Sequence, residues 1–148
     1  MTDNEAVEIL LVEDNPNDVE LALHALKKNK VSNRIQVVRD GEEALDFIFG
    51  KDTSSGGPSE QRPKMVLLDL KLPKVDGLEV LRRLKGDPAT RSIPVIILTS
   101  SREEQDIVKS YDLGVNSYIV KPVDFQQFNE AIRQLGLYWM VVNQAPIH

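Results

Sequence analysis

Three short apolar runs decide what this chain can become: Ile9-Leu10-Leu11-Val12, Met65-Val66-Leu67-Leu68 and Val95-Ile96-Ile97-Leu98. None alternates apolar with polar residues, so neither face of such a segment can be left to water. Runs of four with that character are strands buried on both sides, which belong to parallel sheets covered by helices. Ile35–Val38 and Ser117-Tyr118-Ile119-Val120 read as two further short strands.

Between the strands the apolar spacing changes from continuous to helical. Asn15-Pro16-Asn17-Asp18 supplies turn and capping chemistry, and Val19, Ala22, Leu23 and Leu26 then fall on one helix face that runs out at Lys27-Lys28-Asn29-Lys30. Asp40-Gly41-Glu42-Glu43 caps a helix carrying Ala44, Leu45 and Ile48, and Leu78, Leu81 and Leu84 mark another that ends near Gly86-Asp87-Pro88. A polar helix is expected over 102–112, with only Ile107, Val108 and Tyr111 as sizeable apolar residues, and a final helix opens at Asp124. Strand and helix alternate five times with short connections. That is an α/β fold, a doubly wound five-stranded parallel sheet with five helices.

The 148 residues suit one domain spanning 1–148, with a core of about 8–135 and a tail, 136–148, extending or packing beyond the last helix. The segment 50–64 lacks apolar periodicity and reads as an exposed loop, an insertion or a partner contact. A net charge of −5 disfavours nucleic-acid binding, which needs a basic surface. Without cysteine there is no disulfide framework, thiolate metal site or cysteine nucleophile. No run approaches a membrane span, and the polar, acidic start is unlike a signal peptide, so a cytoplasmic protein is expected.

Function is suggested by where the strands stop. Successive strands end in Glu13 and Asp14, in Asp69, in Thr99 and in Lys121. Parallel strands place these ends on one rim, where ligands of open α/β sheets bind. Three crowded carboxylates invite a hard divalent cation, and oxygen-only ligands with few protein groups suit Mg²⁺. A cation, the Lys121 ammonium and the Thr99 hydroxyl together form a cradle for phosphoryl oxygens, and Asp69 is placed to accept the group as an acyl phosphate. His24 and His148, the two histidines of the chain, read as solvated bystanders.

The order Glu13-Asp14, Asp69…Pro73…Asp76-Gly77, Thr99 and Lys121-Pro122 resembles the receiver domain of two-component response regulators, from Glu8 to about Leu135. The resemblance implies a flavodoxin-like (CheY-like) sheet in the order 2-1-3-4-5. It implies that Asp69 takes phosphate from a sensor histidine kinase. Glu13, Asp14, Asp69 and the backbone carbonyl of Lys71 would hold Mg²⁺, while Thr99, Lys121 and the backbone of Ser100 would hold the phosphoryl oxygens. Thr99 and Tyr118 would form the switch, and the bond before Pro122 would be cis. Two positions depart from the family pattern: Leu72 stands where a methionine is usual, and Lys71 lies two residues after the acceptor.

With no helix-turn-helix or other effector segment following, the expected output is a protein contact or phosphate relay. The long loop before the Asp69 strand and the Tyr138-Trp139 tail are similar to single-domain regulators paired with bacterial phytochromes, which implies a phytochrome-type kinase as partner. Phe125, Phe128, Ile132, Leu135, Trp139 and Val142 recur at three- and four-residue steps, interrupted by Gly136 at a cost of about 1 kcal/mol. That seam admits two arrangements. One is a tail folded back on its own domain; the other is a self-association surface at Phe128, Ile132, Trp139 and Val142, in a homodimer built on the last strand, last helix and tail.

Three other readings compete. An FMN-binding flavodoxin-like protein would want a phosphate loop where Glu13-Asp14 would repel phosphate. An aspartyl-nucleophile phosphohydrolase normally needs a second carboxylic acid two residues after the nucleophile, where this chain has Lys71. A receiver-like module that binds partners without phosphate would not need the complete acidic, threonine and lysine set.

Overall fold

The structure, a computed structural model, describes residues 8–28, 34–50, 62–115 and 117–135. Most of the loop expected at 50–64 lies outside the described residues, as do Gly136, Trp139, Val142 and His148.

The chain alternates through β1 (Ile9–Val12), α1 (Pro16–Lys28), β2 (Ile35–Val38), α2 (Gly41–Phe49), β3 (Met65–Asp69), α3 (Gly77–Gly86), β4 (Val95–Thr99), α4 (Arg102–Ser110), β5 (Ser117–Val120) and α5 (Phe125–Leu135). The strands form one sheet, all parallel, in the order β2-β1-β3-β4-β5. Both the alternation and the 2-1-3-4-5 order agree with the sequence. α4 is two residues shorter at its end than expected: it stops at Ser110, and Asp112 has left the helix with a φ of 53°.

The pleat sorts the apolar runs into two cores. Ile9 and Leu11, Met65 and Leu67, Ile96 and Leu98, and Ile119 face α1 and α5, where Val19, Ala22, Ala25, Leu26, Phe128, Ala131 and Ile132 close over them. Leu10 and Val12, Val66 and Leu68, and Val95 and Ile97 face the other way, under Ala44, Ile48, Val80, Leu81 and Leu84. Successive strand residues point to opposite faces, so runs without alternation fill both cores at once.

Two consequences follow for the helices. Phe128 and Ile132 are fully buried inside their own domain, which corrects their assignment to a self-association surface: the three- and four-residue spacing marks the face of α5 that meets the sheet. α4 buries a single residue, Val108, while Ile107 and Tyr111 are 58% and 47% exposed. It is held far more lightly than α1, which buries four.

Candidate functional site

Register brings the strand ends level. Val12 pairs with Leu68, so Glu13 and Asp69 leave the sheet side by side, and Thr99 pairs with Val120, just before Lys121. By the pleat, Glu13 and Asp69 continue the α1/α5 face. On that face Lys121 Nζ lies 3.1 Å from Asp69 Oδ2, 3.4 Å from Glu13 Oε1 and 3.1 Å from Asp18 Oδ2. Glu13 and Asp69 are buried, while Asp14 is exposed beside them.

Glu13, Asp14 and Asp69 can each offer a carboxylate oxygen within 4.8 Å of the others'. Such an all-oxygen set fits a hard divalent cation. The electrostatics point the same way. Burial, followed by the charge of Asp69, pushes the Glu13 carboxyl up to about 7, against the pull of Asn15 N–H and Lys121. Burial alone would lower Lys121, but Asp69, Glu13 and Asp18 more than offset it and hold the ammonium above its ordinary value. One ammonium is thus shared among three acids, leaving an excess of negative charge that a cation would relieve.

The other half of the rim is arranged differently. Thr99 follows Val95 and Ile97 in the alternation, so it begins on the α4 face, and its hydroxyl makes a long 3.5 Å contact to the Ile119 carbonyl. Ser101 caps α4, its hydroxyl accepting from Glu104 N–H at 3.1 Å. Ser100 N–H donates to Glu104 Oε1 at 2.7 Å, and Glu104 Oε2 pairs with Lys71 Nζ at 3.4 Å. Asp69 touches both halves: Oδ2 meets Lys121, and Oδ1 accepts from Lys71 N–H at 3.3 Å.

The loop that carries Asp69 into α3 is clamped by two glycines. Gly77 N–H donates to Leu70 C=O at 2.8 Å, and a Cβ there would land on the Asp69 carbonyl oxygen and within 2.6 Å of Leu70 Cα. Gly41 N–H reaches Pro73 C=O at 3.3 Å, and a Cβ on Gly41 would strike the Val75 backbone. Asp76 then caps α3 by accepting from Glu79 N–H at 3.0 Å.

The residues singled out in sequence therefore divide. Glu13, Asp14, Asp69 and Lys121 come together. Thr99, Ser100 and Lys71 border the same rim, but the Lys71 ammonium turns to Glu104. Tyr118 is half-buried on β5, with Lys109 Nζ 5.3 Å from its ring centre. The Lys121-Pro122 bond is cis, as expected. Sequence reasoning missed Asp18, which it took for turn and capping chemistry, and Glu104, which it took for one more polar residue of α4. The available signal was the place of Asp18 in the first turn of α1, which opens directly after the acidic strand end.

Residues 9–133 match the family model of the response regulator receiver domain. The chain is 53% identical to a solved structure described as the bacteriophytochrome response regulator RtBRR, with a TM-score of 0.83, covering 95% of this chain and 84% of that one. It is 41% identical over 138 residues to the probable methanogenesis regulatory protein FilR2 of Methanothrix harundinacea, covering 93% of this chain and 86% of that protein. Against response regulator Rcp1 of Synechocystis sp. it is 36% identical over 132 residues, 89% of this chain and 88% of that protein. The Mn²⁺-bound structure of Rcp1 superposes with a TM-score of 0.70 at 35% identity, over 95% of this chain and 99% of that one.

Proposed function

The chain belongs to the response regulator receiver domain family, and from that premise we propose that Asp69 accepts a phosphoryl group from the phosphohistidine of a sensor kinase. The observation that carries this reading is the Asp69 carboxylate itself. It is 2% exposed, at the end of β3, with one oxygen on Lys121 and two further carboxylates within ligand distance.

The chemistry is in-line displacement at phosphorus. An Asp69 oxygen forms the new O–P bond as the P–N bond of the donor breaks. The electron pair stays on the imidazole nitrogen, which departs neutral when its other nitrogen carries a proton. Glu13, Asp14 and Asp69, with the Lys71 carbonyl, would hold Mg²⁺; the ion supplies charge neutralisation for phosphoryl oxygens. Lys121 meets one phosphoryl oxygen as a point charge, and the Thr99 hydroxyl and Ser100 N–H meet others. Asp18 keeps the ammonium at the rim by sharing it with Asp69.

Drawing Thr99 toward the phosphoryl group would free space beside β5 for Tyr118 to turn inward, shifting the population of the α4–β5–α5 face and its affinity for partners. The likeness to RtBRR and Rcp1 supports a phytochrome-type kinase as donor, acting on a cytoplasmic receiver domain. FilR2, similar over the same span, marks other kinases as the alternative. Self-association, if it uses this end of the molecule, falls to β5, the outer face of α5 and the tail with Trp139 and Val142.

Intact mass after incubation with a small acyl-phosphate donor tests the reading. A gain of one phosphoryl mass that requires Mg²⁺ and is absent in Asp69→Asn is expected. No gain by folded wild-type protein would overturn it in favour of a phosphate-independent binding module.

A further inference from the structure

The backbone N–H of Ser100 already holds an anion. Glu104 Oε1 sits 2.7 Å from that nitrogen and 3.2 Å from the Ser100 hydroxyl, a short charge-assisted pair. Glu104 is the third residue of α4 and its side chain is only 15% exposed. In a capping box the carboxylate at this position reaches back to the N–H of the cap residue. The cap here is Ser101, and Glu104 overshoots it by one residue to the N–H beside the rim. The second oxygen is tied to Lys71, two residues past Asp69.

We infer that Glu104 is a positioning residue that occupies the anion slot of the unphosphorylated site and is displaced by the phosphoryl group. The inference rests on the reading above, in which Ser100 N–H serves a phosphoryl oxygen. One N–H cannot point linearly at two anions, so the incoming oxygen and Glu104 Oε1 compete for it. Two things change when Glu104 leaves. Lys71 loses its partner while standing next to a newly charged Asp69, and α4 loses the contact that joins its first turn to the end of β4. Because α4 buries only Val108, that contact is a sizeable share of what holds its N-terminal end. The pair of Lys71 and Glu104 thereby links occupancy of the site to the placement of α4.

Titration of full-length protein with fluoroberyllate in excess Mg²⁺, followed by fluorine NMR, tests this. Glu104→Ala is expected to bind the phosphoryl mimic about tenfold more tightly than wild type, the worth of one charge-assisted hydrogen bond released from competition. Glu103→Ala, which removes the same charge from the same turn without the Ser100 contact, is expected to stay within about twofold, as exposed charges do. Glu104→Gln keeps the side-chain volume and is expected to fall between, at about threefold. In free protein the Ser100 amide proton should move upfield in both Glu104 variants and hold its place in Glu103→Ala, a change that altered helix stability alone would not confine to Ser100. Wild type that binds while Glu104→Ala binds no better than Glu103→Ala, or an unmoved Ser100 amide, overturns the inference alone. Folded wild type that binds Mg²⁺ but no fluoroberyllate overturns the phosphoacceptor reading, and this inference with it.

Discussion

The two halves of the rim are built on unequal foundations. The half made of Glu13, Asp18, Asp69 and Lys121 rests on α1 and α5, which between them press Val19, Ala22, Ala25, Leu26, Phe128, Ala131 and Ile132 onto the sheet. The half made of Thr99, Ser100 and Glu104 leads into α4, which contributes only Val108. The first half keeps several charges at fixed distances, which takes a stiff support, because burying them is costly unless their partners stay in place. Under the proposed switch the second half rearranges, and helices that move are drawn from the lightly anchored ones. Stiffness and mobility meet at one side chain, Asp69.

The largest test of this contrast is Phe128→Ala, expected to cost about 4 kcal/mol in urea unfolding, since it empties a fully enclosed aromatic site. A loss near that of a surface residue would show that the α5 side is no firmer than α4.

Next in size is the pH response of the charged half. Glu13 titrates at about 7 in the folded chain against an ordinary 4.5. The native state therefore binds this proton more tightly than the unfolded state. The resulting stability is complete below about 4.5 and is lost as pH rises through 7. In metal-free protein the thermal midpoint should fall by a few degrees over that interval, and the difference between wild type and Glu13→Gln should isolate the slope. A slope of equal size in both would mean that Glu13 is not the group strained by its neighbours.

Ser101→Ala removes the α4 cap and is expected to cost about 1 kcal/mol of helix stability. If α4 opens on its own, hydrogen exchange will quicken in residues 102–110 with little change in α1. Ile107→Ala, at an exposed position, should stay within about 0.5 kcal/mol. A larger cost would reveal packing on α4 that the comparison leaves out.

Much of this architecture could be read from the chain before its structure. Unbroken apolar runs between helical patterns read as buried parallel strands, and their polar ends share one rim with the end of the edge strand β5, so Glu13, Asp14, Asp69, Thr99 and Lys121 were legible together. What was not legible depends on distances between elements. Asp18 serves Lys121 through a contact spanning 103 positions in the chain, and Glu104 overshoots its cap by a single residue; both carry side chains that any surface helix would carry. The spacing of Phe128 and Ile132 gives a face but not its partner, and the partner proved to be the domain's own sheet. Gly41 read as part of a helix cap and Gly77 as part of the motif after Asp69, and neither reading showed the close approach, because nothing in a glycine says which neighbour has come close.

Those two glycines bear on any attempt to move this chemistry to another scaffold. Copying Glu13, Asp14, Asp69, Thr99 and Lys121 onto the ends of parallel strands would transfer every reactive atom and still omit a component. The bend that presents Asp69 fits only because Gly41 and Gly77 leave two volumes vacant where its backbone passes. A transplanted site needs those vacancies written into the recipient as deliberately as its carboxylates, since a single methyl group in either one would tilt Asp69, the proposed acceptor, without altering any of the side chains gathered around it.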